Sequence, residues 1–289
     1  MLLDGHKIAA KIQDAIRQTL EKGYERPPCL AAVLTTDHPA SHSYVRRKVK
    51  ACQEVGIHSK VIHIEPKGTR DLLSVIDSLN SDSTVDGILV QLPLAPRMHH
   101  LDVLERVDPE KDVDGFHPLN AGKVLLQDPS AFYPCTPLGI KVLLQSYGID
   151  VASKHVVILG RSNIVGKPLA TLFLQDAPGC NATVTVAHTR TRHLKEICQT
   201  ADVLVAAIGK PKRIGPNYIK EGAIIVDVGI NKIEDPSTKS GFRIVGDVDF
   251  EAVKPICSAI TPVPGGVGPM TIAMLLQNTL KSFLKRMSS

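Results

Sequence analysis

The stretch VVILGRSNIVGKPLA, residues 156–170, decides the fold. The apolar run from Val156 to Leu159 reads as a buried strand, Gly160 closes it, and Gly166 follows as a helical pattern begins. A strand, a glycine turn and a helix in that order form the entry to a nucleotide-binding α/β unit, because the helix amino terminus offers N–H groups and a positive dipole to an anion. The usual dinucleotide fingerprint is G-x-G-x-x-G. Here Ser162 replaces the middle glycine, and the last glycine comes one residue late. Ser162 can donate a hydroxyl to a phosphate that the backbone would otherwise approach directly. An ordinary strand-to-helix turn is the plainer alternative.

The next strand discriminates between cofactors. An NAD site ends this strand in Asp or Glu, which binds the ribose diol, whereas a nearby Arg accommodates a 2′-phosphate. ATVTVAHTRTRHL, residues 182–194, ends in His188, Thr189, Arg190, Thr191 and Arg192, with no carboxylate. Arg161, inside the glycine turn, adds another positive group. NADP is therefore the expected cofactor, against the competing reading of a solvated basic loop.

Further strands are predicted near 155–159, 183–187, 202–206, 223–228 and 243–247. A glycine-rich loop, PVPGGVGPMT, leads into a closing helix whose Ile272, Leu275, Leu276, Leu280, Phe283, Leu284 and Met287 fall on one face. Upstream, residues 6–22 carry Ile8, Ala9, Ile12, Ile16 and Leu20 at helical spacing. The strand-like CLAAVLTT, a helix over 43–55 closed by Gly56, the alternating KVIHIE, the helical TRDLLSVIDSLNS and the strand VDGILVQLPL then follow. The segment VDPEKDVDGFHPLNAGKV reads as loop-rich. A domain boundary is placed near 134–140, with LGIKVLLQSYG as a connecting helix. Strands and helices alternate in both halves, so the fold class is α/β with two domains.

Composition narrows the function. The 289 residues are 43% hydrophobic and 22% charged, with a formal net charge of +5, no Trp and 4% aromatic residues. The basic residues are spread out, so small anions rather than nucleic acids are the expected partners. Six scattered cysteines contain no C-x-x-C pair, which argues against a zinc site or disulfide framework and for a reducing, cytoplasmic setting. No run approaches the ~20 apolar residues of a bilayer span, and the amino end reaches charge too soon for a signal peptide.

The chemistry-bearing residues of the first half are few. SYVRRK puts Tyr44 and Lys48 four apart, on one helix face. A Tyr hydroxyl beside a Lys is a plausible proton-transfer pair, although a solvated face explains the same spacing. Short-chain dehydrogenases use this spacing downstream of an amino-terminal glycine turn, whereas here the pair lies upstream, so that reading fails on order. Gln91 sits at the carboxyl edge of a buried strand, where α/β sites open. Asp112 and Asp114 share a loop that lacks the length and closing Glu of a calcium hand, so no metal is expected.

Together SYVRRK, DGILVQLPL, PEKDVDGFHPLNAGK, PCTPLG, GRSNIVGKP and TPVPGGVGPMT resemble, in order and spacing, the bifunctional methylenetetrahydrofolate dehydrogenase/cyclohydrolase (FolD) family. The resemblance implies an amino-terminal folate-binding α/β domain over 1–137, a Rossmann-type NADP domain over 138–268, and a helix over 269–289 returning to the first, with a substrate cleft between the domains. It implies a homodimer that oxidises 5,10-methylenetetrahydrofolate with NADP and hydrolyses the methenyl product to 10-formyltetrahydrofolate. By motif position Lys48 would be the catalytic lysine, Tyr44 would lie over the folate ring, and Gln91 would hydrogen-bond Lys48. Asp114 would hold the pterin's amino-pyrimidine edge. Gly160, Arg161 and Ser162 would contact cofactor phosphates, with Thr189 (where the family commonly has Ser) and Arg190 beside them and Ile230 near the nicotinamide. Pro264, Gly265, Gly266 and Val267 would wall the meeting point of folate and nicotinamide. Two places depart from the family pattern. Thr35 and Thr36 stand where Val-Gly is frequent, and Ala95 displaces a proline. The rival readings are another two-domain NADP oxidoreductase, shikimate-dehydrogenase-like, and a nucleotide-binding module without chemistry.

Overall fold

The computed structural model describes all residues except 37–38, 66–67, 97, 239–240 and 289. The amino-terminal half runs α1 (Gly5–Leu20), β1 (Cys29–Leu34), α2 (Pro39–Val55), β2 (His58–His63), α3 (Thr69–Ser81) and β3 (Gly87–Val90), then α4 (His100–Arg106), α5 (Pro118–Leu125) and α6 (Cys135–Ser146). The second half continues β4 (His155–Leu159), α7 (Gly166–Phe173), β5 (Thr183–Ala187), α8 (Leu194–Cys198), β6 (Val203–Ala206), β7 (Ile224–Asp227), β8 (Asn231–Glu234), β9 (Phe242–Val245), α9 (Phe250–Val253), β10 (Ala259–Ile260) and α10 (Val267–Met287). The chain forms two compact units. One comprises Ala10–Cys135 with Ile272–Ser289, and the other Met1–Ala9 with Thr136–Thr271.

The first unit is built on a parallel sheet in the order β2-β1-β3. Every residue of β1 is buried, as expected of a central parallel strand covered on both faces. The alternating KVIHIE falls on β2, the edge strand, where only part of each pleat is covered. On α3, Leu72, Ile76 and Leu79 recur at helical spacing and pack with Ala31, Val33, Ile88 and Val90 of the sheet. The segment read as loop-rich, 107–124, carries most of the eight-residue α5, and the seven-residue α4 comes just before it. Both are shorter than the ~11-residue window over which helical periodicity can be counted. On α10 the apolar face is wider than the sequence pattern, since Asn278, Thr279 and Ser282 are also buried, while Met287 at its end is exposed.

The second unit is a five-stranded parallel sheet in the order β10-β7-β6-β4-β5. From β4 the chain moves to β5 on one side and to β6 on the other, so the topological switch point lies outside the carboxyl ends of β4 and β6. The strand expected over 243–247 is not part of this sheet. It is β9, which pairs antiparallel with β8 as a separate hairpin. The fifth parallel strand is instead the two-residue β10, too short to leave a pattern in the sequence. Residues 1–3 extend this edge, for Leu3 N donates to Ile260 O and Ile260 N donates to Met1 O. Those bonds tie the first residues of the chain to the second unit. No helix among the described residues is long and apolar enough to cross a membrane.

Candidate active site

Helix α2 carries Tyr44 and Lys48 one turn apart, and β3 delivers Gln91 to them. The ladder continues one residue past β3, because Gln91 N donates to Val33 O at 2.9 Å, which fixes where the Gln91 side chain starts. Lys48 is only 4% exposed, and its Nζ donates to Gln91 Oε1 at 3.2 Å. Gln91 Nε2 donates in turn to Leu92 O at 2.7 Å, so the amide presents its oxygen to the lysine. The ammonium also lies 4.9 Å from the centroid of the Tyr44 ring, within cation–π range. The Tyr44 hydroxyl is pushed up to about 12, chiefly by burial and further by the Asp114 charge. Tyr44 therefore stays protonated at neutral pH, which rules it out as a resting base.

Asp114 is held by a loop whose architect is Asp112. The buried Asp112 carboxylate accepts Phe116 N at 3.1 Å, His117 N at 2.8 Å and Asn120 Nδ2 at 2.8 Å. Ile88 N donates to Lys111 O, which fastens this loop to β3 and hence to Gln91. Gly115, at φ +73°, turns the chain so closely over residues 132–134 that a Cβ would lie 2.6 Å from Pro134 N. From α10, Asn278 Nδ2 donates to Val113 O at 2.8 Å and Tyr133 O at 3.0 Å. Loss of solvation holds the Asp114 carboxyl above the ordinary carboxylate range, with Lys48 pulling it back and Asp112 adding to the rise. The Cys135 thiol interacts with Asp114 and donates to Val113 O at 3.3 Å. Neither Cys135 nor Asn278 is a candidate from the sequence, since a lone Cys and a lone Asn carry no spacing signal.

In the second unit, Gly160 follows β4 at the switch point with φ +125°, and a Cβ there would lie 2.2 Å from Ala207 O. Gly166 is equally constrained, its Cβ position being 2.1 Å from Gly160 O. Both glycines are thus required by close backbone approach. Ser162 performs a job that the sequence reading did not assign. Its Oγ accepts Val165 N at 3.1 Å and Gly166 N at 3.4 Å, closing the turn into α7. The hydroxyl hydrogen is still available to a phosphate. Gly160 N donates to Ala187 O, so the turn carrying Arg161 begins beside the end of β5. There His188 N donates to Thr191 Oγ1 at 2.9 Å, closing a turn that leaves Thr189 and Arg190 exposed. The geometry suits a dinucleotide: a tight glycine turn, a helix amino terminus, and cations at the adjoining strand end.

Ile230, 57% exposed, follows β7 at the same carboxyl edge. Next to it lies a buried acidic pair, Asp227 and Asp247, neither singled out by sequence. Asp227 accepts from Gly229 N, Asp247 N and Val248 N, each at 2.9 Å. Burial nevertheless pushes its carboxyl up to about 6, with the three N–H donors opposing and Asp247 adding to the rise. The sign follows from linkage: the ionised group opposes folding above that pH, and the penalty is relieved as pH falls toward the unfolded value of about 4. The Asp227 carboxyl carbon is expected to titrate near pH 6 in a ¹³C NMR series. A midpoint near 4 would show that the three N–H donors fully offset desolvation.

Pro264 forms a cis peptide with Val263, and the Gly265 and Gly266 that follow lie against the start of α1 within the same unit. Gly5 N donates to Gly265 O at 2.8 Å. Val267 is the first residue of α10. In the first unit the two departures from the family pattern meet each other, since the buried Thr35 Oγ1 accepts Ala95 N at 3.0 Å. A proline at 95 has no N–H to give. Among the described residues, no three His, Cys, Asp or Glu side chains form a group that could hold a metal ion.

The family model described as the tetrahydrofolate dehydrogenase/cyclohydrolase catalytic domain matches residues 3–114, and that of the NAD(P)-binding domain matches 134–287. The chain is 56% identical over 288 residues to the bifunctional protein FolD of Protochlamydia amoebophila (strain UWE25), covering 99% of this chain and 98% of the relative. Among solved structures it resembles the bifunctional FolD dehydrogenase/cyclohydrolase of Campylobacter jejuni, at 48% identity and a TM-score of 0.92, covering 99% of each chain. It also resembles the Trypanosoma brucei enzyme solved with NADP cofactor and inhibitor, at 35% identity and a TM-score of 0.94, covering 100% of this chain and 99% of that one. Full-length matches of this kind leave no ground for the shikimate-dehydrogenase-like or catalytically silent alternatives. With Lys48, Tyr44 and Gln91 assembled in one unit and a glycine turn at the switch point of the other, the chain belongs to the bifunctional FolD family of methylenetetrahydrofolate dehydrogenase/cyclohydrolases.

Proposed function

We propose that this chain oxidises 5,10-methylenetetrahydrofolate with NADP and hydrolyses the methenyl product to 10-formyltetrahydrofolate, with Lys48 managing the proton in the second step. The observation that carries the reading is the Lys48–Gln91 hydrogen bond over the Tyr44 ring, with Asp114 beside it. The unit of Ala10–Cys135 and Ile272–Ser289 takes the folate. Tyr44 offers its ring to the pterin face, and Asp114 accepts the paired N–H donors of the amino-pyrimidine edge, a geometry that suits a carboxylate. The buried Lys48 and the oriented Gln91 amide flank the reacting carbon, where Lys48, in its neutral amine form, takes a proton from the attacking water and becomes the ammonium.

When bound, NADP supplies the hydride acceptor. The protein's task in that step is to hold two rings in register. The glycine turn at Gly160–Ser162 takes the cofactor phosphates, Arg161, Thr189 and Arg190 take the 2′-phosphate, and Ile230 packs at the nicotinamide end. Pro264, Gly265 and Gly266 supply backbone to the folate and nicotinamide. The protein works as a homodimer, a reading supported by exposed Leu174 at the end of α7 and Val186 on the edge strand β5.

Mixing the protein with methylenetetrahydrofolate and NADP is expected to produce absorbance in the methenyl band, and no change would refute the reading. For the cofactor, the double variant Arg161→Ser/Arg190→Ser is expected to raise the KM for NADP by roughly ten- to a hundredfold, the size of lost charged hydrogen bonds. The KM for NAD should stay the same. Equal losses with both cofactors would remove these arginines from 2′-phosphate recognition.

A further inference from the structure

The loop after β6 contains an anion-binding nest that the protein fills with its own carboxylate. Ile208 N, Gly209 N and Lys210 N all donate to Asp247, at 2.6, 2.9 and 2.9 Å. Three successive N–H groups converge on one carboxylate only where the backbone curls, and Gly209 supplies the curl at φ +64°. A fourth donor, Asn231 Nδ2, reaches Asp247 Oδ1 at 2.8 Å from the start of β8, where the loop after β7 ends. Asp247 is fully buried, and these four charge-assisted bonds compensate its charge, since no salt bridge to it occurs among the described residues.

The pair of loops so joined matters because of where they start. The loop after β6 begins at Ala207, the residue whose carbonyl fills the space above Gly160 in the glycine turn. The loop after β7 contains Gly229 and Ile230. Gly229 has no room for a side chain, because its Cβ position lies 2.4 Å from Asp247 N and 2.4 Å from Asp247 Oδ1. Asp227 holds Asp247 from behind through the N–H groups of Asp247 and Val248, and Gly246 clears space for that carboxylate. The acidic pair therefore sets the spacing of two backbone segments at the sheet's carboxyl edge, flanking the switch point.

We propose that Asp247 is a positioning residue for the dinucleotide, clamping the loops after β6 and β7 into the shape that receives the nicotinamide half. This rests on the NADP reading above and extends it to a residue that never touches the cofactor. Because three of its four bonds go to main-chain N–H groups, Asn cannot replace it. An amide has one acceptor oxygen and turns its NH2 toward further donors.

The test compares Asp247→Asn with wild type in two assays on the same samples, NADP-dependent oxidation of methylenetetrahydrofolate and hydrolysis of preformed methenyltetrahydrofolate, together with NADPH binding by fluorescence. The expected result is a KM for NADP, and a Kd for NADPH, raised about tenfold or more. The kcat at saturating NADP and the hydrolysis rate should change by no more than about twofold, far below the effect of a lost charged hydrogen bond. Parallel loss of both activities would overturn the proposal, as would an unchanged NADPH affinity. Wild-type protein that binds no NADPH would instead refute the cofactor reading itself. If Asp247→Asn does not fold, Asn231→Ala removes one of the four donors and leaves the charge satisfied by the backbone. It is expected to weaken NADPH binding about threefold or more, with hydrolysis unchanged, and wild-type affinity in that variant would equally overturn the proposal.

Discussion

Replacing Lys48 by Met is expected to abolish hydrolysis of methenyltetrahydrofolate, lowering kcat on the order of 10²- to 10⁴-fold, the contribution of a positioned acid–base group. Met preserves most of the side-chain volume, so the effect isolates the ammonium nitrogen. In the wild type that nitrogen is nearly inaccessible, donates to Gln91 Oε1, and lies over the Tyr44 ring. The dehydrogenase step transfers a hydride and needs no proton from this group, so its kcat is expected to survive within about tenfold. Fold integrity is read in the same sample by the retained dehydrogenase. A variant that hydrolyses the methenyl substrate at the wild-type rate would remove Lys48 from the mechanism. Tyr44→Phe provides a contrast: it keeps the ring under the ammonium and removes only a hydroxyl whose proton stays bound at neutral pH.

The second large effect is expected from Gly160→Ala. Position 160 has φ +125°, a conformation that costs an L-residue roughly 1–3 kcal/mol, and the new Cβ would lie 2.2 Å from Ala207 O. That oxygen belongs to backbone between β6 and the Asp247-bound loop, so it cannot yield as the tip of a flexible side chain would. The turn must shift away from β6 and widen the switch point. The NADP-dependent activity is expected to fall about a hundredfold or more, matching roughly 3 kcal/mol. The melting temperature of the NADP unit should drop by about 2–12 °C for the roughly 1–3 kcal/mol of backbone strain, at roughly 2–4 °C per kcal/mol. Hydrolysis of preformed methenyltetrahydrofolate, which we propose is carried by Lys48 in the other unit, should persist. An alanine variant with normal NADP kinetics would show that the backbone at 160 relaxes freely.

The long periodic elements were legible because their signal is local. Val156–Leu159 with Gly160, the spacing of Leu72, Ile76 and Leu79, and the alternating β2 segment all follow from repeats of the backbone itself. The short helices α4 and α5 were not legible, since their ends are set by packing and capping. At α5 His117 Nδ1 accepts Leu119 N, a contact no periodicity announces. The strand at 242–245 was read correctly as extended, but the sheet it joins was not legible. Its partner β8 is antiparallel and outside the parallel layer, and pairing is a property of two segments at once.

The candidate site divides in the same way. Spacing alone set Tyr44 and Lys48 on one helix face, and residue type alone made Arg161 and Arg190 candidates for a phosphate. Gln91 was legible as a polar residue ending an apolar strand. Its orientation was not, because that depends on Nε2 bonding Leu92 O after the chain has folded. Ser162 was read as a phosphate donor, and the fold adds its role in closing the turn onto Val165 N and Gly166 N.

By itself the sequence determined the α/β class and the family, and it named candidate site residues, because strand and helix periods and short motifs are encoded within a few residues. Only the tertiary structure decided that Asn278 from the last helix braces the Asp114 loop, that Thr35 receives the N–H of Ala95, and that Asp247 closes a nest forty residues upstream. Each of these is a buried polar group. Such a group must find its partner wherever the chain brings one within 3 Å, at separations for which local sequence carries no signal.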